Sequence, residues 1–241
     1  MTHEVLEIAE SAQAAANACA ARILEDLRDL LASADLARIA ISGGSTPKMM
    51  FETLGRTPFP WAKVHIFWVD ERCVPPSDSQ SNYKLAAETF LKPAKIPAEN
   101  IHRVKGELDP GEAAEEYVRD IRASLNLSNG QIPVFDVIHR GLGPDAHTAS
   151  LFPGEPLIGD REGIAAPVYV QKLKMHRITL LPAVLLAARK TVVLAAGDDK
   201  AEPLFQVLRG PEDPFRYPCQ LGTRGSLKAL WFIDRAAAQK L

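Results

Sequence analysis

The chain of 241 residues is 46% hydrophobic and 24% charged, with 28 basic and 30 acidic side chains and a formal net charge of -2. That composition suffices for a full buried core and excludes disorder, while 15 glycines and 18 prolines without a period exclude collagen-like and low-complexity chains. No global positive field exists to gather nucleic acid or an anionic membrane, so any anion must be held by a local site.

Residues 4–32 are rich in Ala and Leu, carry charges between apolar positions and lack Gly or Pro, which predicts one long amphipathic helix. A short strand follows at 38–42, broken by Gly43-Gly44-Ser45-Thr46 before Pro47 opens the next helix, with Thr46 as the expected N-cap. The apolar and aromatic stretch 64–69 predicts a buried strand that ends in Asp70-Glu71-Arg72. Residues 83–91 read as helix. Asp109-Pro110-Gly111-Glu112 resembles a capping box, and Ala114, Tyr117, Val118, Ile121 and Leu125 follow it at helical spacing.

A strand at 134–139 runs into Gly141-Leu142-Gly143-Pro144-Asp145-Ala146-His147-Thr148. Later strands are expected at 168–170, 177–180, 191–196 and 229–233, with helices near 182–188 and 200–208. Alternating strands and helices predict βαβ units: a three-layer αβα fold with a mostly parallel, Rossmann-like sheet. No repeat, linker or composition shift marks a second domain, so residues 1–241 are read as a single domain.

Cys19, Cys73 and Cys219 are far apart and form no CxxC pair, which points away from a disulfide framework or zinc site and towards a reducing compartment. The N-terminal Met-Thr-His-Glu lacks a basic and a compact apolar region, so no secretory signal is expected. The longest uncharged apolar run, 178–188, contains Pro182 and is too short to span a bilayer. The expectation is a cytoplasmic protein, monomeric, without a membrane or nucleic-acid partner.

In an open parallel sheet, ligands collect beyond the carboxyl ends of the strands. Four clusters occupy such places: 42–46, 70–72, 141–147 and 197–200. The first is a glycine turn into a helix N-terminus, suited to phosphate but equally to a plain tight turn; without a Gly-Lys-Ser/Thr it is no Walker A loop. The third matches G-x-G-x-x-A, yet Pro144 stands where a helix-opening amide is needed, and Asp160 and Glu162 fall in a loop and not at a strand end. A nicotinamide site is therefore set aside.

That stretch does place His147 two residues after Asp145, where an imidazole can accept a proton from water at neutral pH. His3, His65, His102, His139 and His176 receive no role. Arg72 either pairs with Asp70 or Glu71 in a surface network or binds an anion or polarises a carbonyl. Arg177 opens a strand, and Lys200 lies in the first turn of a helix expected to be capped by Asp198 or Asp199. Together these cations could neutralise a phosphate dianion.

Ser42-Gly43-Gly44-Ser45-Thr46-Pro47, Asp70-Glu71-Arg72, Ser81-Asn82-Tyr83, the string from Gly143 to Gly154 and Arg177-Ile178-Thr179 resemble, in order, the 6-phosphogluconolactonases. His147-Thr148-Ala149-Ser150-Leu151-Phe152-Pro153-Gly154 is the most specific element. The resemblance implies hydrolysis of 6-phospho-D-glucono-1,5-lactone to 6-phosphogluconate in the oxidative pentose phosphate pathway, with no metal or organic cofactor. It implies His147 as the base, Arg72 as an active-site cation, and Ser45, Arg177 and Lys200 around the sugar phosphate. The candidate catalytic residues are thus His147, Arg72 and Asp145, the last either orienting the imidazole or serving a turn. The candidate binding residues are Gly43, Gly44, Ser45, Thr46, Asp70, Gly143, Arg177 and Lys200.

The chain departs from the family pattern at Leu142 and Ala146, where Met and Gly are usual, and at Ile138-His139-Arg140, where apolar residues are usual. If position 146 needs φ > 0, Ala146 carries strain or shifts the His147 loop; at φ < 0 it sits comfortably. The rival readings are a glucosamine-6-phosphate isomerase/deaminase and a non-catalytic sugar-phosphate sensor domain. The sensor would carry a DNA-reading module, and no basic patch is present here.

Overall fold

The computed structural model describes residues 5–224 and 229–241; residues 1–4, with His3, lie outside them. The expected long first helix is two elements. Val5–Ala9 forms β1 and Ala12–Leu31 forms α1, and the break falls at Ser11, whose hydroxyl accepts a hydrogen bond from the Ala14 N–H at 3.2 Å. A side-chain acceptor at that position starts a helix and ends what precedes it. Val5 and Ile8 remain about half exposed, as befits an edge strand.

The chain continues through β2 (Ala37–Ile41), α2 (Ser45–Arg56), β3 (Val64–Trp68), β4 (Asp70–Arg72), α3 (Asn82–Ala86), β5 (Ile101–His102) and α4 (Pro110–Ser124). There follow β6 (Val137–Gly141), β7 (Ala165–Val170), β8 (Met175–Leu180), α5 (Pro182–Ala187), β9 (Lys190–Ala195), α6 (Ala201–Leu208), β10 (Ala229–Asp234) and α7 (Arg235–Ala238). Seven strands form one sheet in the order β1-β10-β9-β6-β2-β3-β5, with every neighbouring pair parallel.

A second, antiparallel sheet has the order β4-β8-β7. Here the sequence reading is corrected: β7 and β8 form a hairpin closed by the turn Gln171–Leu173, and the three residues Asp70–Arg72 are themselves a strand. β6 begins three residues later than expected. Its approach is held by the Asp136 carboxylate, which accepts the Arg38 N–H at 2.9 Å, while Val134 is exposed.

Strands covered on both faces read as near-continuous apolar runs, as residues 192–195 of β9 and 229–233 of β10 do. Val192, Leu194, Leu230 and Phe232 enter one core, while Val193, Ala195, Trp231 and Ile233 enter another. The first core receives Ala16, Cys19, Ile23 and Leu27 of α1 and Met50, Phe51 and Leu54 of α2; the second receives Leu204, Val207 and Leu208 of α6. This is the expected αβα layering.

Two expected caps differ. The N-cap of α2 is Gly44, at φ 133°, so Thr46 lies inside the first turn. Only glycine enters that region without a steric penalty. Neither Asp198 nor Asp199 caps α6: residues Asp198–Lys200 form a separate tight turn, in which Asp199 pairs with Lys200 at 2.6 Å. Among the described residues no helix is long and apolar enough to cross a membrane.

Candidate active site

In the main sheet β9, β6, β2 and β3 are consecutive neighbours and parallel, so their carboxyl ends share one edge. The chain builds outward from β2 to β3 and β5, then returns to β6 on the other side of β2. Such a reversal opens a crevice beyond the strand ends. A cavity of about 220 Å³ occupies it, lined by every candidate residue except Asp145. The four clusters that lie far apart in the chain meet there because the strand order places their strands side by side.

On the β2 side, the Ser45 and Thr46 amides belong to the first turn of α2, where no backbone carbonyl lies one turn earlier to accept them. Those amides and the helix dipole form an anion-binding end. A Cβ on Gly43 would lie 2.1 Å from Asn82 Oδ1, so glycine is required for the close approach.

On the β6 side the Gly143 N–H donates to the His147 carbonyl at 2.9 Å and the Ala146 N–H to that of Gly143 at 3.0 Å. Ala146 has φ 64°, so the strained alternative holds. A left-handed alanine costs about 1–2 kcal/mol. The residue stays because its methyl is buried in the second core beside Leu142 and its carbonyl accepts the Cys219 N–H at 2.9 Å. With Ala146 in place, Gly143 and His147 of this loop line the cavity.

The His147 ring lies flat on Gly143, where a Cβ would stand 1.9 Å from Nδ1. Nδ1 is 2.5 Å from Asp145 Oδ1, and the ring centre is 4.2 Å from that of Phe152. With Nδ1–H donating to the carboxylate, Nε2 keeps its lone pair. Asp145 therefore touches the imidazole and is more than a turn residue. Burial alone would raise its carboxyl, but hydrogen bonds from His147 and Lys172 outweigh this and hold it well below the usual carboxylate range.

The two arginines come from the second sheet. Arg72 of β4 and Arg177 of β8 are directly opposite one another in the antiparallel ladder, and such like-charged pairs are unfavourable unless an anion joins them. Arg177 is 8% exposed, and the Nε atoms of both residues are buried without a partner. Burial pushes the Arg177 guanidinium down; Asp70 opposes the shift and Arg72 adds to it. Asp70 is 3.8 Å from Arg177 and accepts the Ser150 hydroxyl at 2.6 Å.

The surface-network alternative for Arg72 is corrected. Its guanidinium donates to the Gln80 carbonyl at 2.5 Å, and Asp70 and Glu71 are buried. Glu71, absent from the sequence-derived site, accepts the N–H groups of Arg72, Asn82 and Tyr83 at 2.7, 2.8 and 2.7 Å and the Ser81 hydroxyl at 3.0 Å. Asn82, also missed, lines the cavity and donates to the Asp70 carbonyl at 2.8 Å. Their signals were the Asp70-Glu71-Arg72 and Ser81-Asn82-Tyr83 strings. Lys172, which pairs with Asp145, had no signal because it arrives on the unforeseen hairpin.

The remaining described histidines do not line this cavity. His65 and His102 bond one another at 2.9 Å and His139 is buried in the sheet.

A parallel sheet whose switch point holds an oriented imidazole beside two arginines with partnerless Nε atoms defines an α/β enzyme that works on an anionic substrate. Comparison with known proteins narrows the class. The family described as glucosamine-6-phosphate isomerases/6-phosphogluconolactonase matches residues 10–231, and the chain belongs to it. It is 36% identical over 207 residues to a 6-phosphogluconolactonase of Synechocystis, covering 84% of each chain. The human 6-phosphogluconolactonase is 36% identical over 209 residues, covering 84% of this chain and 80% of that one.

The solved 6-phosphogluconolactonase of Trypanosoma brucei superposes with a TM-score of 0.87 at 27% identity, covering 100% of both chains. A monomeric glucosamine-6-phosphate deaminase superposes at 0.83 with 16% identity, covering 98% of this chain and 100% of that one, and shares the fold alone. Within the family this chain falls with the 6-phosphogluconolactonases, which are lactone hydrolases, and it is an enzyme of that kind.

Proposed function

We propose that the protein hydrolyses 6-phospho-D-glucono-1,5-lactone to 6-phosphogluconate, with His147 as the general base. The observation that carries this reading is the pairing of His147 Nδ1 with Asp145 at 2.5 Å on the wall of a cavity shared with Arg72 and Arg177. Nε2 is then the acceptor available to a water. The water oxygen attacks the lactone carbonyl carbon as one of its protons passes to Nε2, and Arg72 with neighbouring amides stabilises the oxyanion.

Collapse of the tetrahedral intermediate breaks the bond to the ring oxygen, which takes the proton back from His147. The new carboxylic acid ionises and releases one proton to solvent. The activated ester needs no covalent nucleophile. Gly43, Gly44, Ser45 and Thr46 at the start of α2, with Arg177 and Lys200, hold the phosphate; Asp70 positions Arg177, and Gly143 seats the imidazole.

The test follows acid release from freshly made phosphogluconolactone against its spontaneous hydrolysis. His147→Ala is expected to lower turnover by roughly 10²- to 10⁴-fold while the protein stays folded. Wild-type turnover in a folded variant would end the assignment. Ammonia release from glucosamine 6-phosphate would favour the isomerase/deaminase, and sugar-phosphate binding without turnover of either substrate would favour a sensor.

A further inference from the structure

Substrate binding leaves one ion pair beside the imidazole unexplained. Lys172 lies in the turn Gln171–Leu173 between β7 and β8, and its ammonium pairs with Asp145 Oδ2, while Oδ1 of the same carboxylate receives His147 Nδ1. Lys172 Nζ also stands 4.4 Å from the centre of the Phe152 ring, the ring that packs on His147 at 4.2 Å. One carboxylate and one aromatic ring therefore each join a loop of the main sheet to the hairpin of the second.

Lys172 does not line the substrate cavity; it borders the adjoining hollow with Asp145 and Phe152. The same hairpin strand, β8, delivers Arg177, whose guanidinium carbon is 5.7 Å from the centre of Phe152. Fixing the turn on Asp145 thus also fixes the approach of an anion-binding arginine. Half-exposed ion pairs stabilise folds little, so the consequence of this one lies in geometry and charge.

We propose that Lys172 is a positioning residue: it clasps Asp145 from the hairpin and thereby holds the imidazole of His147 with Nε2 free towards the cavity. The proposal rests on the reading of His147 as the base. The charged groups around that imidazole are Asp145 and Lys172 at its Nδ1 side, Arg177 across Phe152, and Arg72, Asp70 and Lys200 on the cavity wall. Lys172 disfavours the imidazolium by like charge, so its removal makes the protonated ring more favourable and moves the acid limb of kcat/KM to higher pH.

The experiment compares wild type with Lys172→Met, Lys172→Arg and Lys172→Glu. It reads lactone turnover against pH and, without substrate, the titration of the His147 ring by NMR. In Lys172→Met, kcat is expected to fall roughly two- to fivefold, KM to change less, and acid limb and ring titration both to rise by roughly 0.2–0.7 pH unit. Lys172→Arg restores both readouts, and Lys172→Glu moves them further.

An unmoved ring titration in Lys172→Met and Lys172→Glu overturns the proposal. So does a raised KM with a fixed acid limb, which would make Lys172 a substrate contact. If the ring titration moves as expected while His147→Ala retains full turnover, the clasp stands and the base assignment falls.

Discussion

At Gly143 a hydrogen in place of a methyl decides where the imidazole can lie. A Cβ there would stand 1.9 Å from His147 Nδ1 and 2.2 Å from Cε1, inside the ring's own van der Waals radius. Gly143 is not among the residues with positive φ, so the backbone accepts alanine and only the ring must move. Gly143→Ala is expected to melt within a few degrees of wild type and, on the proposed role of His147, to lose roughly 100-fold in turnover, because the imidazole leaves Asp145. Wild-type kcat would show that the ring has a second productive seat. Ala146, three residues on, illustrates the opposite balance. Its backbone strain of about 1–2 kcal/mol is offset in part by a buried methyl, about 0.8 kcal/mol, and by the smaller conformational freedom of alanine in the unfolded chain.

At the scale of elements, Glu71 ties β4 to the start of α3. It is 2% exposed and accepts three backbone N–H groups and one hydroxyl. Glu71→Ala leaves those donors without an acceptor, so a loss of about 2–4 kcal/mol is expected in urea unfolding, with a raised KM as Asn82 and Arg72 shift. Glu71→Gln keeps an acceptor oxygen and should recover part of both; an unchanged midpoint in Glu71→Ala would mean that water replaces the carboxylate. The sequence made β2, β3, β9 and β10 legible because strands buried on both faces are apolar over most of their length. It hid β1, whose edge position leaves no alternation, and the start of α1 was marked only by Ser11. It also hid the pairing of β4, β7 and β8, because hydrogen-bond partners between distant strands leave no local pattern; the cost was Lys172.

Across the whole molecule, the site was readable wherever loops follow strands of the main sheet, and obscure where the second sheet supplies the residue's surroundings. Strand β6 links that site to stability through adjacent residues on opposite faces. His139 packs edge-on to Phe51 in the first core, with the Ser42 N–H 3.4 Å from Nδ1; Arg140 enters the other face and donates to the Leu221 carbonyl at 2.6 Å. Both are 0% exposed.

Burial pushes the His139 imidazole down to about 3, whereas an unfolded histidine titrates near 6.5. The unfolded chain therefore takes up this proton first. Stability falls as pH drops below about 6.5 and goes on falling to about 3, at roughly 1 kcal/mol per pH unit. His65, lowered by burial and by His102, acts in the same direction, while the raised Glu71 carboxyl acts in the opposite one. Those contributions are common to wild type and a His139→Leu variant, so the comparison isolates the buried ring. Urea unfolding at pH 7.5 and 5.5 is expected to show wild type losing about 1 kcal/mol more than the variant between the two conditions. Equal losses would mean that the folded ring takes up its proton over the same pH range as the unfolded chain, so that burial does not hold it down.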